Sequence, residues 1–201
     1  MWKSKVYLQH FIHPMNQRTI VRSLTTNDGT LVAMNDGVVS WKPREGRAMR
    51  TKLEGLPTVL LAMRGPMGPV DATAIGTADG NVVVLTIPRL ETVAKFSLNS
   101  GSIRALTLVD EGALHFLVGT QHGAVWSVCD GRAKRCIHEF SIDGPVSSLH
   151  IEGERVHVRS GWMHHVRTLD GSSHDVENTA AAYRVKRHKR LSQTYFMPYP
   201  A

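Results

Sequence analysis

Apolar runs broken by a polar residue and a glycine recur along most of this chain. Residues 31–41 (LVAMNDGVVSW), 74–85 (AIGTADGNVVVL) and 116–128 (FLVGTQHGAVWSV) each read as strand, turn, strand. Short β-branched runs bounded by turn residues are the signature of paired strands. The turn glycines Gly37, Gly80 and Gly123 recur at intervals of 43 residues. A weaker fourth copy at 155–166 (RVHVRSGWMHHV) carries Gly161, 38 residues beyond Gly123. A further strand precedes each hairpin, at 19–24, 58–62, 102–106 and 145–149, with Ile20, Val59, Ile103 and Val146 spaced by 39, 44 and 43. Two independent landmarks therefore mark one period. A closing strand is predicted at 92–98 in the second unit and at 136–142 in the third. The Asp-Gly pairs at 36–37 and 79–80 predict two-residue hairpin turns, where φ > 0 favours such residues.

A four-stranded unit cannot bury both of its faces alone, so its repetition predicts an all-β fold of the propeller type. The chain resembles WD40 repeats over residues 18–171 in its period, its strand count and the Asp-Gly turns of its first two units. The third unit has His122-Gly123 at that turn. No Gly-His pair precedes the first strand of a unit and no Trp-Asp pair closes a third strand, although Trp41 and Trp126 fall near that position. The hydrogen-bonded tetrad of that family is therefore not implied. The resemblance implies a non-catalytic scaffold that binds protein partners, either as a subunit of a larger assembly or by self-association.

About four blades fit the chain, fewer than the seven usual in WD40-like propellers. Two architectures follow. In one, a small ring closes when residues 1–17 supply a strand, 5–11 (KVYLQHF), as the missing outer strand of blade four, for which no strand is evident after Gly171. In the other, the ring is incomplete, and its edges are completed by a second copy or another protein, since unpaired edges template strand addition. The general avoidance of free edges favours the first.

Composition changes this picture little. The chain has 201 residues, with 42% hydrophobic positions, 17 glycines and 9 prolines, which suits a folded domain. The most apolar stretch, 59–63, ends at Arg64, too short for a membrane span. No continuous apolar segment marks an export signal near the start, and two cysteines, Cys129 and Cys136, are too few for a disulfide framework. An intracellular location, cytoplasmic or nuclear, is the expectation. A bridge between those cysteines across the predicted turn at 130–131 is the minor alternative.

Charge is more informative, with a formal net charge of +7. Residues 172–201 form a polar, then basic, tail in which Arg184, Lys186, Arg187, Lys189 and Arg190 cluster on a predicted short helix, followed by Tyr195, Phe196 and Tyr199 among prolines. These eight residues are the candidate partner-binding set. A proline-restricted aromatic segment loses little entropy on docking into a groove. The basic cluster also suits a nucleic acid, DNA or RNA, or a nuclear-localisation signal, although most charge runs are simply solvated.

No catalytic, cofactor or metal residues are assigned. Eleven histidines include His150, His157, His164 and His165 in the fourth unit, which neighbouring strands would bring together, and the loose pair His10 and His13, but no metal-ligand motif is present. Ser172, Ser173, His174 and Asp175 hold the side chains of a hydrolytic triad in a segment expected to be a loop, where adjacent residues rarely attain triad geometry. No phosphate-binding glycine loop or nucleophile elbow occurs. The turn-rich stretch 65–70 (GPMGPV) in the second unit is read as a long hairpin connection, with a recognition loop as the lesser alternative.

Overall fold

The structure is a computed structural model and describes residues 18–64, 70–110, 114–130, 134–168 and 173–177. Among the described residues sixteen strands form four antiparallel sheets of four, each meandering in chain order. Sheet 1 comprises β1 (Ile20–Thr25), β2 (Gly29–Met34), β3 (Val38–Pro43) and β4 (Met49–Lys52). Sheet 2 comprises β5 (Pro57–Arg64), β6 (Val70–Thr77), β7 (Asn81–Thr86) and β8 (Thr92–Ser97). Sheet 3 comprises β9 (Ile103–Asp110), β10 (His115–Thr120), β11 (Ala124–Asp130) and β12 (Lys134–Ser141). Sheet 4 comprises β13 (Ser148–Glu152), β14 (Arg155–Ser160), β15 (Met163–Thr168) and β16 (Ser173–Glu177).

Alternation along each strand sends side chains to opposite faces, and the sheets stack by burying facing sets. Leu31, Ala33, Val39 and Trp41 of sheet 1 meet Ile75, Val83 and Leu85 of sheet 2. The other face of sheet 2, with Ala74, Val82, Val84 and Phe96, meets Ile103, Phe116, Val118 and Val128 of sheet 3. Leu117 and Val125 of sheet 3 then meet Val156 and Val158 of sheet 4. Three apolar layers thus join four sheets in sequence. The first strands line up: β1 lies beside β5, β5 beside β9 and β9 beside β13, and among the described residues no comparable packing joins β13 to β1. Hydrogen bonds cross this row. Arg22 Nε donates to the Thr58 carbonyl at 2.8 Å, and the Thr58 hydroxyl lies 2.5 Å from the Ile103 carbonyl.

The period seen in the sequence is a repeat of backbone contacts. Leu53, Leu98 and Ile142, each buried at the end of a fourth strand, donate their amides to the carbonyls of Gly37, Gly80 and Gly123 at 2.9, 3.1 and 3.0 Å. The turns differ from the expected two-residue hairpins. In the second, the Gly80 amide donates to the Thr77 carbonyl at 3.2 Å, and only the glycine has φ > 0, at 85°. This is a longer hairpin loop ending in one left-handed residue, which explains why His122 substitutes readily for aspartate before Gly123.

Two strands escaped the sequence pattern. Met49–Lys52 closes sheet 1, although three of its four residues are exposed and it lacks an apolar alternation. Ser173–Glu177 pairs with β15 and occupies the outermost place of sheet 4. That place was expected to lack a strand after Gly171 and to be filled by residues 5–11. The segment containing Ser173, His174 and Asp175 is accordingly a strand where a loop was expected, its pairing set by the backbone of β15. Residues 1–17 lie outside the described residues, as do 65–69 of the expected long connection.

Candidate interaction surfaces

The chemistry-bearing residues fall on the two flanking sheets. In sheet 4, β14 turns tightly into β15, with Ser160 opposite Met163. The register puts Val156 and Val158 toward sheet 3 and places His150, His157 and His164 on the opposite face. There the rings of His157 and His164 stack at 5.1 Å, with His157 Nδ1 3.1 Å from His164 Nε2. Glu152 Oε2 lies 3.5 Å from His157 Nε2, and the His150 ring centroid is 6.2 Å from that of His157. Two imidazoles at this distance share one proton, one nitrogen donating and the other accepting. Among the described residues no group of three or more His, Cys, Asp or Glu side chains is arranged to hold a metal ion.

His165 takes no part in this row. It lies opposite Val158, faces sheet 3 and is buried, with neither ring nitrogen hydrogen-bonded. Burial, and then the charge of Arg167, push its pKa below the ordinary histidine value, against a smaller opposing effect of Asp143. The neutral ring is thus a core residue. His10, His13, Ser172 and the whole tail set, Arg184, Lys186, Arg187, Lys189, Arg190, Tyr195, Phe196 and Tyr199, lie outside the described residues. Cys129 and Cys136 are both free, and the register sets Cys136 opposite Val128.

Sheet 1 carries a second feature. Strands β3 and β4 and their connection contain Lys42, Arg44, Arg47, Arg50 and Lys52, all exposed, with Glu45 as the one carboxylate among them. This cluster is absent from the candidate set drawn on the tail, although its five cations fall within eleven residues of the sequence. Near β4, a hollow of about 240 Å³ opens between sheets 1 and 2, bordered by Lys52, Glu54, Thr77 and Lys95. That volume is below the several hundred Å³ of typical small-molecule sites. Lys95 Nζ meets Glu54 Oε2 at 2.5 Å beside it, and the carboxylate, by hydrogen bond and charge, holds the ammonium above its ordinary pKa.

Comparison with known proteins places this architecture. No family model matches the chain. Among solved structures it is similar to Sqt1 of Saccharomyces cerevisiae, with a TM-score of 0.65 at 13% identity, over 78% of this chain and 48% of that one. The Cps50 (Swd1) β-propeller domain of Myceliophteria thermophila matches with a TM-score of 0.59 at 14% identity, over 76% of this chain and 56% of that one. The computationally designed Ika4 protein matches with a TM-score of 0.61 at 15% identity, over 84% of this chain and 99% of that one. The fold is that of a WD40-like β-propeller, made of sheets stacked face to face about a row of first strands. Among curated proteins, U3 small nucleolar RNA-associated protein 21 of S. cerevisiae is 24% identical over 161 residues, 78% of this chain. The chain spans 16% of that relative's length.

Proposed function

We propose that the chain is a non-catalytic interaction scaffold, an intracellular subunit of a larger assembly, in which its four sheets form an incomplete propeller flanked by protein neighbours. One observation carries this reading. Ile103 and Val146 are fully buried against the sheet before them, whereas Ile20, at the same place in the repeat, is 63% exposed. Sheet 1 has the strand that a preceding blade would cover and no such blade among the described residues. The match to about half of the Sqt1 chain supports the same reading.

The tail residues Arg184, Lys186, Arg187, Lys189, Arg190, Tyr195, Phe196 and Tyr199 are the second contact. Aromatic anchors supply most of the energy in such docking and charges steer the encounter. Mass measurement during size exclusion tests the ring. An assembly larger than one chain supports neighbours at the flanks, while a lone compact monomer in the presence of all cellular partners opposes them. Deleting residues 192–201 weakens assembly and leaves the fold intact; an unfolded deletion variant would reject tail docking.

A nucleic-acid-associated role is the second reading. It is supported by the curated relative, an RNA-associated protein, and by the basic tail.

A further inference from the structure

We propose that the outer hairpin of sheet 1 binds the phosphate backbone of a nucleic acid. The partner class is shared with the second reading above, but the residues are different and were not part of it. Antiparallel register puts Lys42 opposite Thr30, Arg50 opposite Ser40 and Lys52 opposite Val38. Residues directly opposite share a face, so Lys42 and Arg50 lie together on the face turned away from sheet 2. They occupy the outer two strands, apart from Ile20 on β1, where a preceding blade would pack, while Lys52 at the end of β4 reaches the rim of the hollow between the sheets. Val39 and Trp41, on the other face of β3, are buried against that sheet. Arg44 and Arg47 extend the cationic surface around the connection between the two strands.

The charges are available. The ion pairs of sheet 1 join Arg18 to Asp36 and Glu54 to Lys95, and Arg22 is engaged by the Thr58 carbonyl. None of the five hairpin cations meets a carboxylate among the described residues. The carboxylates nearest in the chain are Asp36, paired with Arg18, Glu45, and Glu54, paired with Lys95. Five cations against Glu45 within the hairpin leave a strongly positive strip at the edge of the protein.

The chemistry favours phosphate over an acidic protein surface. Three of the five cations are arginines, whose planar forks pair with phosphate oxygens in two parallel hydrogen bonds. Arg50 and Lys52 sit two residues apart on one strand face, a repeat of about 6.8 Å that presents charge in a line along an extended polyanion. Protein hot spots combine arginine with aromatic anchors, and the one aromatic residue in β1–β4, Trp41, is buried on the opposite face. No exposed aromatic ring offers a stacking platform there, so binding is dominated by charge and depends little on sequence.

Fluorescence anisotropy of the full chain with a labelled uridine 20-mer, followed across a salt series, tests this. The wild type binds, and the K42Q/R50Q/K52Q variant loses at least tenfold in affinity, with the slope of log K against log salt reduced by about 2, since each phosphate contact contributes about 0.7 for single strands. The charge-keeping variant K42R/K52R retains binding, and an unchanged melting temperature shows that both variants fold. Equal binding by wild type and K42Q/R50Q/K52Q overturns the proposal. So does loss of binding only in R184Q/K186Q/R187Q, which assigns the contact to the tail. Displacement of the RNA by polyglutamate at matched charge also overturns it, in favour of an acidic protein.

Discussion

Val146 sits directly over Gly119: a Cβ placed on that glycine would come within 2.3 Å of Val146 Cγ1. The preceding sheet repeats the relationship, with a Cβ on Gly76 falling 2.5 Å from Ile103 Cγ2. Both glycines lie on second strands, and both partners open the first strand, or the approach to it, of the next sheet. The close approach is what lets the first strands line up as one row. Gly119→Ala is expected to destabilise the protein by about 1–3 kcal/mol through overpacking. Urea unfolding would show a lower midpoint with an unchanged slope.

The turn glycine of sheet 3 is constrained twice. Gly123 has a φ of 84°, and a Cβ there would lie 2.0 Å from the Ile142 carbonyl oxygen, the residue whose amide it binds. Gly153 also has a positive φ, 59°, yet a Cβ on it meets nothing within 4 Å. Gly153→Ala should cost only the left-handed strain, about 1–2 kcal/mol. Gly123→Ala should cost clearly more, because the fourth strand must move. Equal losses in thermal denaturation would contradict the turn contact.

Phe116 is fully buried in the layer between sheets 2 and 3, among Val84, Phe96 and Val128. Truncation to alanine is expected to cost about 3–5 kcal/mol. The same truncation at the exposed Ile137 should cost little, and calorimetry of the two variants separates a packed interface from a loose one.

His165 predicts a pH dependence of stability. Its folded-state pKa is lowered from 6.5 by burial and by Arg167, so the unfolded chain takes up the proton more readily. Stability is therefore complete above the ordinary histidine value and is lost as pH falls from there toward the lowered value, below which the loss levels off. His165→Leu should flatten that part of the profile. A variant with the same acid sensitivity as the wild type would contradict this role for His165.

The repeat was legible because its landmarks are buried hydrophobes and glycines with fixed geometry. Ile103 and Val146 hold positions set by the preceding sheet, and Gly80 and Gly123 positions set by the end of their own sheet's fourth strand, so their spacing survives in the sequence. Strand β4 did not stand out, since Met49 and Arg50 face solvent at an edge and need no apolar alternation. Strand β16 was obscured for a different reason: its polar residues pair through backbone hydrogen bonds with β15, which side-chain patterns do not report. Four histidines in the fourth unit were visible, but only strand register separates the three on the outer face from the one in the core. The basic hairpin shows the same limit, because its charges form one surface only after β3 pairs with β4.

The scaffold reading is tested most directly by purifying the tagged chain from cells under gentle conditions and measuring the mass and composition of what is recovered. The account predicts other proteins in fixed stoichiometry with it, in a particle several times its own mass of 22.3 kDa. Recovery of the chain alone, as a monomer, would contradict it.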